Sequence, residues 1–274
     1  MGAPLLELDD CTLRFGGLTA VGNLTMTVDE HSLVALIGPN GAGKTSVFNL
    51  ITGVYRPTAG DIRFCGQSLV GLKPYQITKL GIARTFQNIR LFPSLTVFDN
   101  VRVAFHLHLK SHSIHSLIRL PAFHAEEKRI AARTTELLEI FDLARVSDEP
   151  ARSLPYGNQR RLEIVRALAT RPKLLLLDEP AAGMNPTEKT ELTRLIRDIQ
   201  EKFGISILLV EHDMPVVMKI CERIVVIDHG LKIAEGTPAE VRANTKVIEA
   251  YLGDEAPAPH VVASALDAAG AAGV

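Results

Sequence analysis

Gly38-Pro39-Asn40-Gly41-Ala42-Gly43-Lys44-Thr45 follows an unbroken apolar run, Leu33–Ile37, and leads into a helical stretch from Lys44 to Ile51. An apolar run of that kind reads as a strand buried on both faces of a parallel sheet. The segment after it matches GxxxxGK[ST] in full, and its strand–loop–helix setting is the one the motif requires. The glycines let successive backbone N–H groups turn toward one anion, and the following helix adds the positive end of its dipole. Lys44 is then placed to reach the β- and γ-phosphates of a nucleotide, and Thr45 to offer its hydroxyl to Mg2+.

A nucleotide site also needs a carboxylate for the metal and a group that activates water. Leu174–Leu177 is a second buried-strand run, and it ends in Asp178-Glu179. At the C-terminal edge of a parallel sheet, Asp178 would orient Mg2+. Glu179 would point to the other side of the extended chain, as general base toward a water attacking the γ-phosphate.

Outward from these two points the chain alternates. Leu5–Leu8, Thr12–Phe15 and Leu24–Val28 read as small antiparallel strands, and Arg56–Gly60 reads as a turn. Residues 95–170 lose the strand pattern, and Glu126–Phe141 sets Ile130, Leu137, Leu138 and Phe141 at helical spacing, which predicts a helical insert. Buried-strand runs return at Ile205–Val210 and Ile224–Ile227, between helices near Thr187–Phe203 and Met214–Cys221, the rhythm of a parallel α/β sheet. Beyond Leu252 the sequence is rich in Ala, Pro, Gly and Asp, so residues 254–274 are expected to form a mobile tail.

Composition narrows the class. The chain has 274 residues, 46% hydrophobic positions, 30 Lys+Arg and 31 Asp+Glu, a balance that argues against disorder and against a nucleic-acid partner. The longest stretch free of Asp, Glu, Lys and Arg is residues 15–28, too short and too glycine-rich to span a bilayer. The first ten residues lack the basic flank and apolar core of a secretory signal, so none is expected. Cys11, Cys65 and Cys221 lie far apart, which fits a reducing compartment and gives no metal-ligand spacing.

Over residues 4–253 these motifs together resemble an ABC-type ATPase, a P-loop NTPase with an antiparallel β-subdomain, a parallel-sheet core and an inserted α-helical subdomain. The resemblance implies an ATPase domain over residues 1–253, with the helical subdomain at about 95–170. It also implies that ATP contacts run from Gly38 through Ser46. Gln87, in Arg84-Thr-Phe-Gln-Asn, sits where the family has its Q-loop glutamine, which touches Mg2+ and water. His212, in Val210-Glu-His-Asp, matches the switch histidine at the γ-phosphate, and Phe15 matches the aromatic that stacks on adenine.

The family's signature, Leu-Ser-Gly-Gly-Gln-Gln-Arg, corresponds to Leu154-Pro155-Tyr156-Gly157-Asn158-Gln159-Arg160. In a head-to-tail dimer Pro155, Tyr156, Gly157 and Asn158 would face the nucleotide of the other subunit. Pro155 replaces a serine there, suits the first turn of the coming helix, and removes a hydroxyl and an N–H from the chemistry. Tyr156, the Gln87-Asn-Ile-Arg-Leu-Phe-Pro segment, Asn185 in place of the usual D-loop aspartate, and Ile248-Glu-Ala-Tyr-Leu-Gly253 resemble the branched-chain amino-acid (LivG) subgroup.

That subgroup resemblance implies pairing with a second, LivF-like ATPase more than with a second copy, two transmembrane permease subunits, and an extracytoplasmic solute-binding protein. It implies a peripheral position on the cytoplasmic face of the inner membrane. Leucine, isoleucine and valine are the usual cargo; urea, short amides and other amino or aromatic acids stay open, as does a non-transport or regulatory ABC protein. His106, His108, His112, His115 and His124 crowd one part of the insert, but no carboxylate lies between Val103 and Ala125 to orient them, so an exposed insert is expected in preference to a zinc site.

Overall fold

The computed structural model describes residues 3–108 and 121–253. They divide into two units, one built from the residues up to Ile77 and from Leu176 onward, the other from Thr78–Leu175.

In the first unit, β1 (Leu6–Phe15) lies between β2 (Leu18–Val28) and β4 (Ala59–Phe64) in an antiparallel sheet that ends on β5 (Gln67–Ser68). Where the sequence suggests two strands broken at Asp9-Asp10, there is one strand with a bulge. Asp10 adopts φ 48°, and the register on β2 shifts between Leu8 and Cys11. The bulge keeps its polar groups satisfied, because the Asp10 N–H donates to Thr25 Oγ1 at 3.1 Å and Asn23 Nδ2 donates to Asp10 Oδ1 at 2.7 Å. Pairing therefore continues through it.

The second sheet of this unit holds β3 (Leu33–Ile37), β7 (Leu174–Asp178), β8 (Ser206–Val210), β9 (Arg223–Asp228) and β10 (Leu231–Gly236), in the order β10-β9-β3-β8-β7. Every residue of β3, β7 and β8 is buried, as continuous apolar runs demand when both sheet faces are covered. β3 runs parallel to β8 and to β9, so the loops that follow these strands emerge on one edge. Helices α1 (Lys44–Ile51), α6 (Pro186–Phe203), α7 (Met214–Ile220), α8 (Pro238–Ala243) and α9 (Thr245–Gly253) belong to this unit as well, and α2 (Pro74–Leu80) runs across its boundary at Ile77. The boundary between the units passes through β7 itself.

In the second unit, β6 (Ile82–Arg84) meets the start of β7, with the Gly81 carbonyl accepting from the Lys173 and Leu174 N–H groups. Its helices are α3 (Val97–Ala104), α4 (Pro121–Ile140) and α5 (Tyr156–Ala169). Ile130, Leu137, Leu138 and Phe141 are all buried, which bears out their helical spacing. Asn100 is fully buried and pins the preceding loop, donating to the carbonyls of Phe92, Leu95 and Thr96 and accepting from the Phe92 N–H at 2.9 Å. Among the described residues no helix is long and apolar enough to cross a membrane. His112, His115, the side chain of His108 and the expected tail 254–274 lie outside the described residues.

Candidate active site

The loop between β3 and α1 owes its path to its glycines. Gly38 has φ +156°, and a Cβ there would lie 2.0 Å from the Ile227 carbonyl oxygen at the end of β9. Gly43, with φ 103°, stands at the N-cap of α1, and no side chain caps that helix. The first-turn N–H groups of α1 therefore have no intrahelical or side-chain acceptor, which is the arrangement that receives a phosphate. Asn40, Gly41 and Thr45 are exposed, whereas Pro39, Ala42 and Lys44 are buried and Ser46 is half-buried.

Lys44 is only 7% exposed, and its ammonium donates to the carbonyls of Gly38 at 2.6 Å and Pro39 at 2.8 Å. Burial pushes its pKa below the ordinary lysine value, while Glu179 and then Asp178 pull it back up. The loop, its lysine, Asp178 at the end of β7 and Glu179 just after it thus form one electrostatic cluster.

Glu179 does not continue the strand. Its φ is 46°, a left-handed conformation that costs a non-glycine residue roughly 1–2 kcal/mol. Its N–H donates to the Val210 carbonyl at 2.8 Å, tying it to the end of β8. The side chain is aimed by this kink and not by strand alternation, which corrects the extended-chain reading. His212 Nδ1 stands 3.6 Å from Glu179 Oε2, too long for a hydrogen bond but close enough for the two groups to share one phosphate.

One residue of the site, Glu211, carries almost no signal in the sequence. Glu211 is fully buried, and its carboxylate accepts from Ala181 N–H at 2.8 Å, His212 N–H at 3.0 Å and Asp213 N–H at 3.2 Å. Burial raises its pKa and these backbone donors oppose the rise. Glu211 fastens the loop after β7 to the loop after β8, and so sets the Glu179–His212 pair. Its only sequence signal is an acid at the end of an apolar run, next to the histidine. Asn185 accepts from the Glu188 N–H at 3.0 Å as the N-cap of α6, within a capping box, so asparagine serves the helix as well as aspartate would.

Phe15 closes the β1–β2 hairpin opposite Leu18, is 47% exposed, and has the Tyr55 ring at right angles to it, 5.2 Å away. An aromatic ring on a hairpin with an open side suits a stacking role.

The remaining candidates belong to the second unit. Gln87 is exposed on the loop after β6, and its carbonyl accepts from Arg160 Nη2 at 2.8 Å. The guanidinium groups of Arg84 and Arg90 both lie over the ring of the preceding residue, Phe86, 5.0 and 4.2 Å from its centroid. Pro155 is exposed at the N-cap of α5, one position before the helix proper, and not within the first turn as expected. A proline there offers no side-chain oxygen, so the N–H groups of Gly157 and Asn158 are left without the cap that serine gives. Tyr156 is 45% exposed and starts the helix.

The sequence profile of the ABC transporter family matches residues 21–182, more than half of the chain and across both candidate loops. The chain belongs to the ABC transporter ATPase family. A second profile, that of the branched-chain amino acid ATP-binding cassette transporter, matches residues 232–257. The ATPase is 46% identical over 254 residues to the high-affinity branched-chain amino acid transport ATP-binding protein BraF of Pseudomonas aeruginosa, covering 93% of this chain and 100% of that protein. LivG of Escherichia coli K12, which carries the same description, gives the same identity and coverage. Among solved structures, the ADP conformation of MJ1267, an ATP-binding cassette of an ABC transporter, superposes with a TM-score of 0.80 at 28% identity, over 92% of this chain and 100% of that one. The mixed sheets and inserted helices of the ATPase are those of the ABC cassette fold.

Proposed function

We propose that this ATPase binds MgATP on the Gly38–Ser46 loop, hydrolyses it with Glu179 as general base, and powers an importer for branched-chain amino acids. The catalytic reading is carried by the convergence of Lys44, Asp178, Glu179 and His212 on one edge of the sheet. The cargo reading rests on 46% identity along the full length of relatives named for branched-chain amino acid transport.

In the chemical step Glu179 takes a proton from a water as that oxygen bonds to the γ-phosphorus. The bridging P–O bond then breaks, and its electron pair leaves on the β-phosphate. Lys44 and the uncapped N–H groups of α1 offset the charge on the phosphates, and His212 holds the γ-phosphate against Glu179. Thr45, Asp178 and Gln87 supply oxygen donors of the kind Mg2+ takes, and the metal when bound neutralises charge on the β- and γ-phosphates. Phe15 stacks on the adenine.

Two ATPase subunits sandwich two nucleotides, with Pro155, Tyr156, Gly157 and Asn158 facing the nucleotide of the partner. The partner is a LivF-like ATPase; two permease subunits carry the path through the membrane, and a solute-binding protein delivers the cargo outside. The subunit sits on the cytoplasmic face, docked to the permeases. Because Pro155 lacks the hydroxyl of the usual serine, the nucleotide it faces is hydrolysed more slowly than the other. Pro155→Ser adds one donor worth about 1 kcal/mol, so hydrolysis at the site it faces rises about fivefold. An unchanged rate would remove this asymmetry.

Proteoliposomes holding the complete assembly test the cargo. ATP-dependent uptake of labelled leucine, isoleucine or valine is the expected result. Uptake of urea, short amides or aromatic acids alone would overturn the branched-chain assignment, and uptake of nothing would overturn the importer.

A further inference from the structure

The largest fully buried side chain among the described residues is an arginine, Arg160 on α5, and it is paired with the equally buried Glu163 one turn on. Arg160 Nη1 is 2.9 Å from Glu163 Oε2 and also donates to the Phe86 carbonyl at 2.6 Å. Its Nη2 donates to the Gln87 carbonyl at 2.8 Å and to the Tyr156 hydroxyl at 3.0 Å. Glu163 Oε1 accepts from the Arg90 N–H at 3.2 Å, with the Phe86 N–H at 3.4 Å beside it. Only the Arg160 Nε lacks an acceptor. Taking two ions out of water is costly, and apolar residues of the same volume often serve stability as well or better, so such a pair is poorly explained by stability alone. What this pair does specifically is fix the main chain of an irregular loop to one helix, with the planar five-donor fork of arginine reaching both.

We infer that Arg160 is a positioning residue that joins the signature to the Q-loop. One guanidinium holds Tyr156, which faces the partner's nucleotide, and the main chain of Gln87, which serves this chain's own nucleotide. When the partner's nucleotide engages Tyr156, Arg160 carries the displacement to Gln87, so that occupancy of one site speeds hydrolysis at the other. Glu163 keeps the guanidinium in place and grips the same loop from its N–H side. This inference rests on the two-nucleotide sandwich proposed above.

The test uses the complete transporter in proteoliposomes, with ATP affinity, ATPase kinetics and transport per ATP as readouts. Arg160→Lys keeps the charge beside Glu163, but one ammonium cannot reach both carbonyls and the tyrosine. The expected result is a KM for ATP within about twofold of wild type, a kcat at least about tenfold lower, and fewer solutes moved per ATP hydrolysed. Tyr156→Phe removes only the hydroxyl and lowers kcat about threefold. The double variant is expected to equal Arg160→Lys alone, because both act through one contact. Wild-type kcat and stoichiometry in Arg160→Lys would overturn the inference, as would losses that multiply in the double variant. Should Arg160→Lys fail to assemble, Tyr156→Phe decides by itself, and an unchanged kcat overturns the inference. Glu179→Gln in the same vesicles separates this failure from a wider one. If it stops hydrolysis while Arg160→Lys is silent, only the coupling role falls; if it hydrolyses normally, the catalytic reading falls with it.

Discussion

Glu179→Gln is expected to cut phosphate release at this chain's own site by a factor of about 100 to 10,000, the usual worth of a positioned general base, while ATP binding stays within about twofold of wild type. The amide is close in size to the carboxylate and cannot take the proton of the attacking water. The main-chain geometry that aims position 179 survives the change, because it depends on the left-handed backbone at 179, the bond from its N–H to the Val210 carbonyl, and the Glu211 bracket on the neighbouring loops. Removing a carboxylate beside Lys44 also reduces the negative charge that meets an incoming polyphosphate, which favours binding. The measurement is phosphate release in a single turnover from the assembled pair preloaded with ATP, with retained nucleotide counted in parallel. Normal release would remove Glu179 as the base.

Lys44→Ala should abolish function at the earlier step. The ammonium is the buried cation of the loop, held by the Gly38 and Pro39 carbonyls within the field of two acids. Without it Asp178 and Glu179 repel the β- and γ-phosphates, and charge-assisted bonds worth about 1.5–3 kcal/mol each disappear. Two such bonds correspond to a weakening of ATP affinity by a factor of about 100 or more. Equilibrium binding of a fluorescent ATP analogue checks this, and the fold is monitored by far-UV circular dichroism. Binding at wild-type strength would show that the loop holds phosphate through its N–H groups alone.

The two variants fail at different steps, and the contrast identifies the site. Lys44→Ala loses binding and turnover together, whereas Glu179→Gln traps bound ATP. A chain that used this loop for sensing alone would lose signalling with the first and be indifferent to the second.

Local chemistry made much of this site legible. The limits of β3 and α1 match the sequence reading residue for residue, because an apolar run, a glycine loop and a lysine-led helix each signal themselves within a few residues. The buried strands β7, β8 and β9 match to within one residue at each end, for the same reason. Less visible were β10, α8 and α9, short elements with mixed burial whose pattern is set by what they pack on. The bulge at Asp10 looks like a break in the sequence because the polar groups that mend it, Thr25 and Asn23, lie on the neighbouring strand.

From the sequence alone came the phosphate loop, the acid pair at the end of β7, the histidine after β8, the helical character of the insert and the family to which all of them belong. Tertiary structure alone decided how those groups are aimed. Glu179 is turned by a left-handed residue bonded to a strand 31 positions later, Ala181 is held by Glu211 from 30 positions away, and Gln87 is gripped by Arg160 from 73. Hydrophobic periodicity is a local property and can be read in a short window. The partner of a buried polar group is whatever the fold brings within hydrogen-bond distance, and no stretch of sequence contains that distance.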